Sequence, residues 1–286
     1  MRRLLLVMAL SVCSCASTHY VSSSTGNDGN SGASTAAPWK TLAYAMAHVA
    51  AGDSVLLNRG DVWNEPLVIS QNNLTIDAYP VGGTGPAPRI TGYQALSGWS
   101  FTSDNIYKTT MSGTTACASS SGNVYFNGVP GQLVTASSGT GSPAHDRDFY
   151  CDGASPSNVY VYSQGSPSSY YGAVFVVTPS NSALLDTNGK TGLNIQHLAL
   201  DYFDNYGVYV HGGSTNLTFA NMSINGMVVG ENRLSASTPG YKPYGFYVSN
   251  AGYATNVSIY NVDAHLNSVA GVRSSVVGDR LLEVWF

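Results

Sequence analysis

Two stretches of the chain decide the fold: "YGVYVHGGSTNLTFANMSI" at 206–224 and "YGFYVSNAGYATNVSIYNVDA" at 244–264. Each contains a Tyr-Gly pair, a strand of alternating apolar residues, an Asn-led turn and a second alternating strand. Such a unit is apolar on one side and cannot bury that side without a neighbouring copy. The repetition therefore predicts a solenoid in which successive coils stack on one another.

A third copy fixes the register of the repeat. "LNIQHLALD" from 193 aligns with "LTFANMSIN" from 217 and "VSIYNVDAH" from 257, at offsets of 24 (217 − 193) and 40 (257 − 217) residues. The 14 residues "GENRLSASTPGYKP" at 230–243 account for most of the excess of 16. The alignment places apolar residues in three shared columns: Leu193, Leu217 and Val257; Ile195, Phe219 and Ile259; Leu198, Met222 and Val262. This period predicts a parallel β-helix whose columns point into the core.

Four Asn-x-Ser/Thr matches begin at Asn73, Asn216, Asn221 and Asn256. Asn tolerates left-handed backbone angles, and its amide can stack on that of the next coil. We therefore interpret these residues as corners or strand edges of the coils rather than as glycan acceptors.

The segments around the repeat complete the domain organisation. "APWKTLAYAMAHVAAGD" at 37–53 has apolar residues at helical spacing and predicts a capping helix near 38–50. The strands "NVYFNGV", "NVYVYS" and "AVFVVTP" are separated by long Ser-, Gly- and Pro-rich stretches, which is typical of an irregular β insertion. The predicted divisions are a signal peptide at 1–16, cap and first coils at 17–97, the insertion at 98–190 and further coils at 191–286.

The N-terminus predicts export. "MRRLLLVMALSVCSCA" at 1–16 has a basic start, an apolar run too short to span a bilayer and a small-residue end. Cleavage after Ala16 would give a secreted, periplasmic or cell-surface protein. A second interpretation reads Val12-Cys13-Ser14-Cys15 as a lipobox-like sequence, which makes Cys15 the anchor of an outer-membrane lipoprotein. The rest of the sequence contains no segment of transmembrane length, and a monomer is expected.

The charge content of the chain argues against one class of binding partner, and its cysteine content predicts a disulfide. Charged residues make up 10% of the chain, against about 25% in average globular domains. The net charge of −4 gives no basic field, which argues against a nucleic-acid partner. Cys117 and Cys151 remain after signal removal and predict a disulfide in an exported protein; two separate buried thiols are the alternative.

The opening "YVSSSTGNDGNSGASTAAPWKTLAYAMAHVAAGDSVLLNRGDVW" at 20–63 resembles secreted bacterial members of the pectate-lyase-like superfamily. The resemblance extends over 20–90 and 190–272. It implies an all-β, right-handed parallel β-helix solenoid with an N-terminal capping helix, and a polysaccharide as substrate or ligand. Members include lyases, glycoside hydrolases, epimerases, adhesins and phage tail proteins, so the resemblance does not settle the reaction.

A lyase acting on an acidic, uronate-containing glycan by β-elimination is the first function that the resemblance implies. The alternatives are a glycoside hydrolase on the same fold and a non-catalytic, adhesin-type carbohydrate-binding protein. Lyases on this fold use Arg or Lys to remove the proton beside a uronate carboxylate, often with Ca²⁺ held by Asp side chains. The candidates here are therefore Arg233, Lys242 and Arg273 as bases and Asp201, Asp204 and Asp263 as calcium ligands.

Histidines and tyrosines supply further candidates. His265 shares a column with Asp201 and Asn225, and both His265 and His211 are candidate acid–base groups. Tyr209 and Tyr247 share an outward column, which suits a sugar platform or a structural aromatic ladder. We expect His211 to bind substrate beside them.

The hydrolase alternative needs two carboxylates. Asp201 and Asp263 lie two coils apart, which corresponds to about 10 Å and suits an inverting pair at its upper limit. All these acids and cations have a simpler interpretation as solvated surface charges. The 230–243 segment, with Arg233 and Lys242, is expected to roof the face that bears Asp201, Asp204, Asp263 and His265.

The tail departs from the repeat. "SSVVGDRLLEVWF" at 274–286 contains neither the next Asn corner nor another pair of strands. Related β-helices continue for several more coils, so the sequence predicts a truncated or frame-shifted C-terminus.

Overall fold

The computed structural model describes residues 15–111, 123–134, 143–152, 158–177, 183–203, 205–226, 244–249, 254–265, 270–274 and 282–285. In the described ranges the protein is mostly β, and its parallel sheet is strongly curled. The predicted all-β, solenoid-like fold is confirmed at that level.

The elements follow in chain order: β1 (Thr18–Val21), α1 (Leu42–His48), β2 (Ser54–Asn58), β3 (Val62–Trp63), β4 (Leu67–Val68), β5 (Thr75–Tyr79), β6 (Arg89–Thr91), β7 (Tyr93–Ala95), β8 (Ser100–Ser103), β9 (Ile106–Thr110), β10 (Asn123–Phe126), β11 (Val129–Pro130), β12 (Gln132–Leu133), β13 (Asp148–Cys151), β14 (Asn158–Tyr162), α2 (Pro167–Tyr170), β15 (Val174–Val177), β16 (Ala183–Asp186), β17 (Asn194–Gln196), β18 (Ala199–Asp201), β19 (Tyr206–Val210), β20 (Thr215–Asn225), β21 (Tyr244–Val248), β22 (Thr255–His265), β23 (Ala270–Ser274) and β24 (Leu282–Trp285).

Parallel strands of successive coils form three stacks. The first stack contains β1, β2, β5, β17, the start of β20, the start of β22 and β24. The second contains β3, β6, β18 and the ends of β20 and β22. The third contains β4, β16, β19, β21 and β23. Each coil therefore crosses from the first stack to the second, then to the third.

The predicted register is confirmed. Leu217 pairs with Val257 and Met222 with Val262, at the offset of 40. Ile195 pairs with Phe219 at the offset of 24, and Phe219 with Ile259. These apolar side chains pack in one core that runs through the solenoid, since each coil covers the apolar side of its neighbour.

The four Asn residues of the Asn-x-Ser/Thr matches are corners, as predicted. Asn73, Asn216, Asn221 and Asn256 all have φ between 52° and 58°. Asn256 Nδ2 donates to Asn216 Oδ1 at 2.6 Å, and Asn261 Nδ2 donates to Asn221 Oδ1 at 2.5 Å. The side-chain amides thus form hydrogen bonds from one coil to the next. At each corner the backbone has a left-handed conformation, which Asn tolerates better than most residues.

The repeated Tyr-Gly pair contains glycine because there is no room for a side chain at this position. A Cβ on Gly207 would lie 2.7 Å from the carbonyl oxygen of Gly245 and 2.7 Å from Ile224 Cγ2. Adjacent coils therefore approach too closely here for any side chain.

The capping helix is shorter than the predicted 38–50. It begins at Leu42 because Thr41 caps it, accepting a hydrogen bond from the Tyr44 amide at 3.1 Å. The carboxylate of Glu65 accepts from the first two helical amides at 2.9 and 3.2 Å. Upstream, Trp39 is in an extended bridge with Val21 and not in the helix.

The described strand pairs of the insertion are antiparallel except for the parallel pair β12–β13, in contrast to the solenoid. One sheet has the order β11-β10-β15-β7 and the other β12-β13-β14-β9-β8, around a separate core that includes Phe126 and Phe149. These strands span 93–177, whereas the sequence predicted 98–190. β16 belongs to the third stack, because Leu185 pairs with Leu67 and Val208.

Cys151 lies in this second core and is disulfide-bonded. Cys117, the predicted partner, lies outside the described residues, so that pairing stays a prediction. Residues 1–14 of the predicted signal peptide also lie outside the described residues; Cys15 is a free, exposed thiol. In the described ranges, no helix has the length and hydropathy needed to cross a membrane.

Candidate functional site

The outer surface of the third stack carries three stacked phenol rings, Tyr206, Tyr209 and Tyr247, which we call the tyrosine ladder. The ring centroid of Tyr206 lies 4.8 Å from those of both other rings, at interplanar angles of 19° and 14°. Tyr209 and Tyr247 are paired in register on β19 and β21, with centroids 5.7 Å apart. Their neighbours in sequence, Val208 and Phe246, are buried in the core, so the strand alternation directs the rings outward.

A histidine–aspartate pair ends the tyrosine ladder. The ring of His211 stacks on Tyr209 at 4.2 Å and 17°, and its Nε2 lies 2.7 Å from Asp186 Oδ1. The amide of Asn188 donates to the same Oδ1 at 2.7 Å, which fixes the carboxylate. With Nε2 protonated toward Asp186, Nδ1 is the basic nitrogen. This is the arrangement of an acid–base imidazole oriented by a carboxylate.

Tyr206 is a neutral phenol in this setting. Burial raises the pKa of Tyr206, and the neighbouring phenols of Tyr247, Tyr209 and Tyr244 raise it further. The hydroxyl therefore keeps its proton at neutral pH and can donate a hydrogen bond to a sugar hydroxyl.

The second stack contains the predicted polar column. Thr91, Asp201, Asn225 and His265 occupy one register position on successive coils. Asp201 is buried: its Oδ2 lies 2.7 Å from Arg89 Nε, and its Oδ1 accepts from Asn225 Nδ2 at 2.8 Å. The carboxylate is thus covered by an arginine and an amide.

This environment does not suit a calcium ligand. Both Asp201 oxygens are engaged, and the guanidinium already supplies the positive charge that Ca²⁺ would bring. Among the described residues, no group of three His, Cys, Asp or Glu side chains is placed to hold a metal. Asp204 lies outside the described residues, and Asp263 is exposed on β22 in register with Ser223. A calcium site that includes them stays a prediction.

The structure describes only some of the other predicted residues. Arg233 and Lys242 lie outside the described residues. Arg273 is in register with Tyr247, so its backbone continues the column of Asp186, Tyr209 and Tyr247. The structure therefore brings together the predicted substrate-binding tyrosines and His211, and separates them from the column of Asp201 and His265.

Two long connections follow a strand of the second stack and precede a strand of the third. The antiparallel insertion joins β6 to β16, and 230–243 joins β20 to β21. Tyr202, at φ 57°, packs its ring edge-on against Tyr93, Tyr125 and Phe175 of the antiparallel insertion. The insertion thus contacts the solenoid directly beside Asp201, at the crossing that leads to the tyrosine ladder.

Sequence reasoning missed Asp186, Tyr206 and Arg89. Extending the repeat alignment back to "ALLDTNG" at 183–189 would have placed Asp186 in the Tyr209 column. Tyr206 belongs to the Tyr-Gly pair that was read only as a repeat marker. No sequence signal marks Arg89, because the long insertion separates it from Asp201.

No protein-family model matches the chain, and no curated protein matches its sequence. Among solved structures, the chain is similar to XylC in complex with xylose, with a TM-score of 0.54 and 12% identity over 90% of this chain and 60% of that one. It is also similar to the GH136 lacto-N-biosidase from Eubacterium ramulus (TM-score 0.43, 17% identity, 90% of this chain and 36% of that one). A third structure, described as a glycoside hydrolase, gives a TM-score of 0.41 and 10% identity over 91% of this chain and 85% of that one.

These likenesses concern the fold. At 12% identity the similarity to XylC shows a shared architecture, and the other two similarities are weaker. The chain spans 60% of the length of XylC.

Proposed function

We propose that this protein is an exported, carbohydrate-active protein that binds a polysaccharide along the tyrosine ladder. The observation that carries the proposal is the row of parallel, half-buried rings of Tyr206, Tyr209 and Tyr247 with the His211–Asp186 pair at its end. Aromatic faces stack on the apolar faces of sugar rings, and their hydroxyl edges meet sugar hydroxyls. XylC, whose fold is similar, was solved with a sugar bound, which supports this ligand class.

The finer architecture that we propose is a right-handed parallel β-helix. Three parallel stacks with conserved register from coil to coil, and amide-stacked corners, support it. Residues 1–16 would direct export, with cleavage after Ala16 or a lipid anchor at Cys15.

For the reaction, β-elimination on a uronate-containing glycan is our first choice. The proton beside the uronate carboxylate passes to a base, the C–O bond to the leaving sugar breaks, and its electron pair leaves with the oxygen, which takes up a proton. The electrons of the broken C–H bond form the new double bond. We assign the role of the base to His211 Nδ1, because Asp186 orients the ring through Nε2, and the role of hydrogen-bond donor to the neutral hydroxyl of Tyr206.

The positive charge that pairs with the uronate carboxylate would come from the column of Asp186, Tyr209 and Tyr247. Arg273 follows Tyr247 in register, one coil beyond the ladder. Arg233 and Lys242, in the segment between β20 and β21, are the alternatives. Glycoside hydrolysis by Asp201 and Asp263 is less well supported, because Asp201 is already paired with Arg89. Binding without turnover needs the ladder alone.

The test uses the full chain with polygalacturonate, pectin, alginate and xylan. Elimination creates an unsaturated uronate that absorbs in the ultraviolet; hydrolysis releases reducing ends without that absorbance. Retarded migration in gels containing one of the glycans, with no product, would identify a binding protein. If the protein neither binds nor cleaves any acidic or neutral glycan, the proposal is wrong.

A further inference from the structure

One sheet of the insertion presents a polar, aromatic face on the side away from its core. On β14, Val159 and Val161 are buried, whereas Tyr160 and Tyr162 between and beyond them are partly exposed. On β13, Phe149 is buried and Tyr150 is partly exposed. Strand alternation therefore separates an apolar inner side from an outer side that carries tyrosines.

The outer side has a definite order across its strands. Tyr150 pairs with Tyr160, and Tyr160 pairs with Lys108, so the three side chains form one cross-strand row. The rings of Tyr150 and Tyr160 have centroids 5.9 Å apart, and Lys108 Nζ lies 5.9 Å from the Tyr160 ring centroid. The ammonium is thus held next to an aromatic surface.

Hydrogen-bonding groups border this row on both sides. Thr110 Oγ1 donates to Asn158 Oδ1 at 2.8 Å, and Asn158 Nδ2 donates to Asp152 Oδ2 at 2.5 Å. On the other side, Asn105 Nδ2 lies 3.4 Å from the Tyr162 hydroxyl. Rings flanked by amides and hydroxyls match a sugar, which is apolar on its faces and polar around its edge.

We propose that this row, Tyr150, Tyr160 and Lys108, is a second glycan-binding surface, which holds an acidic polysaccharide apart from the tyrosine ladder. Sugar rings would stack on the two tyrosines, and the Lys108 ammonium would pair with a uronate carboxylate. With a net charge of −4, the protein as a whole repels an anionic chain, so a lysine placed beside the rings selects where that chain binds. A nucleic acid needs several phosphate-binding cations, and the described residues of this row include one.

Binding at the row is separable from chemistry at the ladder, because the two surfaces lie on different sheets. The experiment measures retention of the full chain in polygalacturonate gels and, on the same proteins, turnover of short soluble oligogalacturonides. Tyr160→Ala should weaken retention about tenfold, the loss of one aromatic stacking contact. Tyr160→Phe keeps the ring and should behave like the parent. Tyr260→Ala, which removes an exposed tyrosine from the first stack, is the matched control.

Lys108→Gln tests the charge. It should weaken retention on polygalacturonate and leave retention on a neutral glucan unchanged. Parent-like retention of both Tyr160→Ala and Lys108→Gln would overturn the inference while leaving the proposed function intact. Loss of retention in Tyr160→Ala without turnover of any glycan by the parent would support the second surface and contradict the enzymatic proposal. No retention of the parent on polygalacturonate would overturn the inference, and turnover would then still be measured separately.

Discussion

His211 Nε2 lies 2.7 Å from Asp186 Oδ1, and the two residues belong to neighbouring coils of the third stack. The same carboxylate oxygen accepts from the Asn188 amide, so the imidazole is oriented by a group that is itself held by the backbone. The ring of the ladder residue Tyr209 stacks on one face of the imidazole. Orientation of this kind matters for proton transfer and contributes little to substrate affinity.

Asp186→Asn should therefore lower kcat by about a hundredfold with little change in KM, since the amide no longer stabilises a protonated imidazole. Steady-state kinetics on the glycan that the parent turns over would measure both constants. Asp104→Asn, at an exposed turn, serves as the control. A raised KM with unchanged kcat would show that Asp186 shapes the binding surface instead.

Tyr209→Ala should weaken glycan binding by about tenfold, because it removes the ring between Tyr206 and His211. Tyr209→Phe retains the ring and should bind like the parent. Isothermal titration with oligouronates and neutral oligosaccharides would give the affinities. Equal affinities for the alanine variant and the parent would mean that the ladder is a structural feature only.

Asn221→Ala should destabilise the solenoid by about 1–2 kcal/mol, because alanine is strained at φ 52°. Asn221→Gly removes that strain and isolates the loss of the hydrogen bond from Asn261. Urea unfolding followed by circular dichroism would compare the two. If alanine is no worse than glycine, the backbone angle does not constrain this corner.

Gly207→Ala should cost about 1–3 kcal/mol, since the added methyl group meets the Gly245 carbonyl and Ile224 at 2.7 Å. Gly165→Ala is the matched control, because its Cβ would meet nothing closer than Tyr170 Cβ at 3.9 Å. Thermal unfolding should separate the two variants clearly. Equal melting temperatures would contradict the close approach of the coils.

The lowered pKa of Asp61 predicts that the protein loses stability in acid. Burial raises the pKa of Asp61, but hydrogen bonds from Ser22 and Ser24 outweigh it, and the pKa is lowered from 3.8. A carboxyl whose pKa is lower in the folded state stabilises the fold above its ordinary pKa, and this stabilisation is lost as pH falls through the folded value. Asp61→Asn should be less stable than the parent at pH about 7, and the gap should shrink at pH about 3. Melting curves of the parent, Asp61→Asn and the control Asp104→Asn at both pH values would measure this gap. A gap that does not shrink at the lower pH would contradict the assignment.

The sequence predicted those parts of the fold that repeat. The column of Ile195, Phe219 and Ile259 was predictable because burial requires an apolar residue at this position of each coil. The Asn corners were predictable because few residues accept the backbone angle. The length of α1 was not, because it depends on the cap at Thr41 and on Glu65, which is distant in sequence.

The candidate site divides in the same way. Tyr209, Tyr247 and His211 lie in coils that repeat within 40 residues, so their proximity follows from the alignment. The pair Asp186–His211, 25 residues apart, would have followed from extending the alignment to 183–189, whereas the pair Arg89–Asp201 spans the insertion, where the period is broken. Local pattern carries no information on contacts made across such a gap.

The position of the antiparallel insertion has a consequence for how the chain folds. Thr191 hydrogen-bonds to Asn72 across 119 residues on one side and to Thr215 across 24 residues on the other. Because loop-closure entropy grows only with the logarithm of length, this fivefold difference costs about 1.4 kcal/mol in stability. The rate of folding is more sensitive, since contacts of high sequence separation slow the search. Coils on either side of the junction can form early as separate units, and joining them across β5 and β17 would then be the slow step.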